Sequence, residues 1–179
     1  YGIAYDSARG KTVMFGGYCD GVGYVQDTWE WDGSSWTLMA PASSPPARGY
    51  NAMAYDTGRG KTVMFGGCGD SGNLQDTWEW DAATSTWSER ATDGNKPGER
   101  ALFAMAFDGK RGKLVLFGGQ DQVNVTLRND LWEWDGGEAV WTQRLTGNEA
   151  GLAAARMYAS LVADDADAHH VVRLRDVPE

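Results

Sequence analysis

One motif returns three times in this chain and leaves few architectures open to it. Lys61 to Trp87 reads KTVMFGGCGDSGNLQDTWEWDAATSTW. Lys11 to Trp36 and Lys113 to Trp141 carry the same frame: an apolar run ending Phe-Gly-Gly, a variable stretch, Asp-(Thr/Leu)-Trp-Glu-Trp-Asp, then a lone Trp. Gly17, Gly67 and Gly119 stand 50 and 52 residues apart, and Trp29, Trp78 and Trp132 stand 49 and 54 apart, so small insertions are absorbed between fixed elements. A period near 50 with this composition points to propeller blades rather than to a solenoid of helix pairs.

Each unit opens with an Arg and a strand of small residues ending at an Asp: Arg48 to Asp56 (RGYNAMAYD), Arg100 to Asp108 (RALFAMAFD) and Arg156 to Asp164 (RMYASLVAD), with Tyr1 to Asp6 (YGIAYD) as the same strand lacking its Arg. Alternation places Ala52 and Ala54 on one face and Met53 and Tyr55 on the other. Small residues on one face suit an innermost strand, where blades converge. Gly10, Gly60 and Gly112 then mark a hairpin turn that favours φ above zero. The second strand (Val63-Met64-Phe65 and its counterparts) is apolar on both faces, and Gly-Gly is expected to end it and admit another backbone. In the third strand Trp29 and Trp31 share a face, as do Trp78 with Trp80 and Trp132 with Trp134, and a fourth strand begins at Trp36, Trp87 or Trp141.

The expected fold is therefore all-β, with blade 1 at residues 1–47, blade 2 at 48–99, blade 3 at 100–155 and a partial, degenerate blade 4 at 156–179. Four-stranded units of about 50 residues make about three and a half blades, where closed propellers have about four to eight, so the chain reads as part of a propeller. Nine Trp, seven Tyr and 24 Gly suit twisted sheets with tight turns. A net charge of −9 disfavours nucleic acid and anionic membranes, which call for a positive face. No apolar run approaches the roughly 18 residues of a membrane-spanning helix.

The Gly-Gly pair after an apolar strand, the Asp-x-Trp-x-aromatic-Asp strand and the later Trp resemble the kelch repeat, in the family's order and over almost the whole chain. The resemblance implies four-stranded antiparallel blades around a central channel. It leaves function open, since kelch propellers serve as protein-binding modules, cytoskeletal adaptors, lyase- or isomerase-like enzymes and the copper domain of galactose oxidase. The reading adopted is a module that binds a protein or glycan without cofactor. The alternative is the propeller part of an enzyme, galactose-oxidase-like or lyase/isomerase-like, completed by further blades. An incomplete ring would also expose blade faces and self-associate.

In an up-and-down blade the loops joining strands 2 to 3 and strand 4 to the next strand 1 emerge on one side. Here they are long and variable: Tyr18 to Gln26, Cys68 to Gln75 and Gln120 to Asn129, with Pro41 to Ala47, Ala91 to Glu99 and Leu145 to Ala155 between blades. That side is the expected binding face. Its candidates are Tyr18, Tyr24, Arg128, the recurring Asp20, Asp70 and Asp121, and the recurring Arg48, Arg100 and Arg156. The aspartates read either as turn residues or as a ring of oxygen ligands for calcium or a cationic partner. The arginines read either as structural partners of a repeated acid such as Asp76 or Asp130, or as a ring gripping an acidic peptide or carboxylated sugar. Cys19 and Cys68 read as thiols, with a disulfide as the alternative. Two Cys make no zinc site, and no metal is expected.

After Asp164 the pattern breaks. Val171 and Val172 align with Val63 and Met64, but Arg173-Leu174-Arg175 stands where Phe65-Gly66-Gly67 would. An Arg in place of a buried Phe is costly, so the tail reads as a frayed or frame-shifted end, which removes His169 and His170 as ligands. Asn124-Val125-Thr126 matches a glycosylation acceptor pattern.

Overall fold

A computed structural model describes residues 1–90, 94–121 and 126–146. Arg156, Asn124, the two histidines and the aberrant tail lie outside them.

Three four-stranded antiparallel sheets follow one another along the chain. The first comprises β1 (Gly2–Asp6), β2 (Lys11–Cys19), β3 (Gly23–Trp31) and β4 (Trp36–Met39). The second comprises β5 (Ala52–Asp56), β6 (Lys61–Gly69), β7 (Gly72–Asp81) and β8 (Thr86–Arg90). In the third, β9 (Ala104–Asp108), β10 (Lys113–Phe117), β13 (Leu131–Asp135) and β14 (Val140–Leu145) form the sheet, and β11 (Gln120–Asp121) and β12 (Thr126–Leu127) a separate hairpin. The inner strands β1, β5 and β9 lie side by side, so the sheets splay from a common axis as propeller blades.

The core lies between blades. Ala4, Val13 and Phe15 of the first pack on Met53, Met64, Trp80 and Trp87 of the second. Ala54, Val63 and Phe65 of the second pack on Met105, Leu114, Leu116, Trp134 and Trp141 of the third. The contacts repeat closely: Phe15 meets Trp87, and Phe65 meets Trp141, edge-on at 5.2 Å and 68° in both pairs. Each Trp also donates across the junction, Trp87 Nε1 to Thr28 Oγ1 and Trp141 Nε1 to Thr77 Oγ1, both at 2.9 Å. Nothing among the described residues covers the corresponding face of the first blade. Tyr5 is 60% exposed where Tyr55 is 8%, and Trp36 is 42% exposed where Trp87 is 4%.

The turns joining strands 1 and 2 are structural. Gly10, Gly60 and Gly112 have φ of 67°, 66° and 62°, as the turn demands. Beside each an Arg ties the Asp of strand 1 to the Glu of strand 3: Arg9 to Asp6 and Glu30, Arg59 to Asp56 and Glu79, Arg111 to Asp108 and Glu133.

Two expectations are corrected at the opposite end. Gly-Gly does not end the second strand in the first two blades, and the 2–3 connections there are not long loops. Gly16 and Gly17 (φ 66° and 133°) and Gly66 and Gly67 (φ 54° and 99°) form bulges that bend the strand and let pairing continue to Cys19 and Gly69. Tyr18 consequently pairs with Tyr24, and Cys68 with Asn73, leaving only short turns at Asp20 and Asp70. The close approach expected at the glycines is present: a Cβ on Gly16 would stand 2.3 Å from the Arg48 carbonyl oxygen, and one on Gly67 2.6 Å from that of Gly49.

Candidate functional site

The bulged hairpins are locked to the start of the next blade's inner strand. Arg48 N donates to Val25 O (3.1 Å) and Gly17 N to Arg48 O (2.8 Å), both joining blade 2 to blade 1. Arg100 repeats this on the second blade, with Leu74 O at 3.2 Å and Gly67 N at 2.9 Å. Gly49 then bridges Cys68, and Ala101 bridges Gln120. Two residues past each Arg the chain turns left-handed at a residue other than glycine, Tyr50 (φ 57°) and Leu102 (φ 59°), and Leu102 N donates to Tyr50 O at 3.2 Å. Such backbone costs of order 1–3 kcal/mol and persists only where surrounding bonds hold it. Here the bridges do so.

The arginine side chains turn inward. Arg48 donates to both Asp76 oxygens (2.6 and 2.7 Å) and to the carbonyls of Gly66 and Pro46 (3.0 Å each), and is 0% exposed. Arg100, also 0% exposed, does the same with Asp130 (2.7 and 2.8 Å), Gly118 and Gly98. Fully buried forks of this kind present nothing to a ligand, so the arginine ring is not assembled by Arg48 and Arg100. Each instead joins the backbone of one blade to the acid of the next. Burial pushes the Asp76 and Asp130 carboxyls up, but the arginine hydrogen bonds and charge outweigh it, with a Trp Nε1 bond adding to them, and both end below the ordinary carboxylate range.

A pH dependence follows. Because these folded-state values are depressed, the stability they contribute is complete above the unfolded carboxylate value, about 3.9, and is lost as pH falls through the folded values. Denaturant unfolding between pH 6 and 3 is expected to show falling stability in the acid limb, with a shallower slope in Asp130→Asn. An unchanged slope would contradict the assignment.

The aspartates are not gathered. Asp20 and Asp70 are exposed at separate hairpin turns, while Asp121 faces Arg128 Nη2 at 3.4 Å. Among the described residues no three His, Cys, Asp or Glu side chains stand close enough to hold a metal, so the proposed ring of oxygen ligands does not form there. Arg128 lies on the third blade, against Gly98, away from the tyrosines. Cys19 is an exposed thiol and Cys68 a buried one, with no disulfide between them.

The tyrosines do converge. Tyr18 stacks edge-on against Tyr24 at 5.3 Å and 76°. The Tyr24 ring lies along Gly49, and its hydroxyl is hydrogen-bonded with the Cys68 thiol, which donates to Gly69 O at 3.6 Å. That bond first, then burial, pushes the Tyr24 hydroxyl up, and the neighbouring Tyr18 and Tyr50 add to the shift. Tyr18 is 59% exposed and Tyr50 45%, with Val22 exposed at the hairpin tip. Tyr50 and Val22 were not singled out from sequence. Nothing local marks Tyr50, because its exposure depends on the left-handed turn held by the Gly49–Cys68 bridge.

A family model described as the KLHDC2/KLHL20/DRC7 Kelch-repeats domain matches residues 2–169. No curated protein matches the chain. The match spans the three sheets, their inter-blade tryptophans and the bulged Gly-Gly hairpins. The chain belongs to the kelch-repeats domain family and is part of a kelch β-propeller, a module that generally binds other proteins.

Proposed function

We propose that this propeller segment binds a partner protein at the junction of its first two blades, through the patch of Tyr18, Tyr24, Tyr50 and Val22 with Asp20 at its rim. The observation that supports this most is the combination of exposure and rigidity. Tyr18 and Tyr50 present large amphipathic rings, yet both sit on backbone held by cross-blade hydrogen bonds. Tyrosines on a fixed scaffold contribute contact area at small entropic cost, which is why they dominate many interfaces. Asp20 and the chain's negative balance favour a neutral or basic peptide surface over an acidic one.

Peptides selected from a displayed random library against the folded chain test this. Tyr18→Ala is expected to weaken the selected peptides by about 1–2 kcal/mol or more, roughly tenfold, while Val140→Ser on the third blade leaves affinity unchanged. Peptides indifferent to Tyr18→Ala and Tyr50→Ala would reject the patch. The glycan reading predicts the same dependence on a glycan array.

The uncovered face of the first blade favours self-association as a second reading, in which concentration-dependent light scattering is expected to show dimers. A monomer at high concentration would exclude it.

A further inference from the structure

The strand 1–2 turns lie beside one Glu per blade, Glu30, Glu79 and Glu133, each paired with the Arg of its own turn. At the first junction the second blade adds to this: Trp80 Nε1 donates to Glu30 Oε1 at 3.4 Å, and the Tyr55 hydroxyl is hydrogen-bonded with Asp6. At the second junction neither contact forms among the described residues. Phe107 stands in the place of Tyr55 and has no hydroxyl. Trp134 Nε1, the counterpart of Trp80 Nε1, belongs to a side chain that is 0% exposed, and it has no hydrogen-bond partner there. The glutamates are also gripped differently. Arg9 sets one nitrogen on each oxygen of Glu30, at 3.0 and 2.7 Å, and Lys11 joins at 3.2 Å. Arg59 sets two nitrogens on Oε1 of Glu79, Lys61 turns to Asp81 instead, and Oε2 has Arg90 Nη1 at 3.6 Å. The third blade makes room for this: a Cβ at Gly136, where the second blade has Ala82, would stand 2.1 Å from Arg59 Nη1.

We propose that Glu79 is a proton-operated clasp between the second and third blades. Ionised, its carboxylate is held within its own blade by Arg59 and Arg90, and the Trp134 N–H of the third blade is left unpaired. On taking one proton from solvent it no longer attracts the two guanidiniums. Its carbonyl oxygen then turns to accept from Trp134, as Glu30 accepts from Trp80, while Arg59 keeps Asp56 at 3.1 Å. A buried indole N–H without an acceptor is costly, so the protonated state gains a bond across the junction. The charged groups that act on Glu79 are Arg59 from the strand 1–2 turn, Arg90 from β8 and Asp56 from β5, and β13 of the third blade brings the uncharged Trp134. Burial pushes the Glu79 carboxyl up, Arg59 and Arg90 pull it down, and Asp56 adds to the rise, which leaves it above its ordinary value. Glu30 and Glu133 end below theirs. With a raised folded value, the stability Glu79 contributes is complete below the unfolded value, about 4.3, and is lost as pH rises through the folded one, opposite in sign to Asp76 and Asp130.

The test is an NMR titration of the chain from pH 8 to 4, with tryptophan indoles labelled with nitrogen-15 and glutamate carboxyls with carbon-13. Trp134→Phe and Glu79→Gln assign the two signals. The Glu79 carboxyl is expected to titrate at higher pH than those of Glu30 and Glu133, and the Trp134 indole proton to move downfield with the same midpoint. Glu79→Gln, an uncharged side chain whose amide oxygen accepts, is expected to hold the Trp134 signal at its low-pH position throughout. Gly136→Ala pushes Arg59 off the carboxylate and is expected to raise the midpoint further. A Trp134 signal that stays still while Glu79 titrates overturns the proposal, and so does a Glu79 midpoint at or below that of Glu30. Both readings come from the unsubstituted glutamate, so they decide the matter even if Glu79→Gln fails to fold; Gly136→Ala then supplies the assignment by its shifted midpoint.

Discussion

Arg100→Ala is expected to destabilise the chain by about 3–5 kcal/mol, a large part of the roughly 5–15 kcal/mol that holds an ordinary domain together. The substitution leaves Asp130 as a buried charge with a hydrogen bond from Trp132 Nε1 and only the more distant Arg128 charge to offset it, and strips a donor from the carbonyls of Gly98 and Gly118. It also loosens the backbone turn that joins the third blade to the second. Arg100→Lys is expected to recover only part of the loss, because one ammonium cannot reproduce a fork aimed at two oxygens and two carbonyls. Replacing both partners, as in Arg100→Met with Asp130→Leu, is expected to be milder than either single change, because no charge is stranded. Denaturant unfolding of the unsubstituted chain, Arg100→Ala, Arg100→Lys, Arg100→Met, Asp130→Leu and the double variant checks this ordering. Should the double variant prove worse than both single ones, the pair would contribute more than relief of an unpaired charge.

Trp87→Ala carries the second large effect, about 3–5 kcal/mol, while the same change at Trp36 is expected to fall within about 0.5 kcal/mol. The two occupy one repeat position, so their difference isolates the neighbouring blade. Trp87 is 4% exposed, meets Phe15 and Trp80 at 5.2 and 5.4 Å, and donates to Thr28. Trp36 is 42% exposed and has only Trp31 as a ring neighbour among the described residues. Trp87→Phe separates packing from hydrogen bonding: with the ring kept and the donor lost, a cost of about 1–2 kcal/mol is expected. A matched loss at Trp36 would mean that the first blade's open face is covered in solution, as the self-association reading requires.

Much of this protein was legible from residues alone, for reasons that are local or periodic. The repeat of Phe-Gly-Gly and Asp-x-Trp-Glu-Trp-Asp determined a propeller of four-stranded blades, because a period-2 pattern of apolar residues assigns faces to strands whatever their neighbours do. The glycine of the first turn announced its positive φ. The recurrence of one Arg and one Asp per unit raised a buried pair as one of two readings, since a charge repeated in every blade has a partner repeated in every blade.

The remainder belongs to the tertiary structure. Alternation says which face Gly16-Gly17 and Gly66-Gly67 lie on but not whether the strand stops there. That is decided by Arg48 and Arg100, whose backbones approach the bulges from the next blade. Tyr18 and Tyr24 were visible as loop tyrosines, whereas their stacking, the bond from Tyr24 to Cys68, and the left-handed turn that presents Tyr50 all arise between segments distant along the chain. Trp87 and Thr28, 59 residues apart, meet only because two sheets pack at a fixed angle. Sequence therefore determined the blades and their number of strands. Only the packing of blade on blade decided which polar groups are buried as partners and which tyrosines face outward.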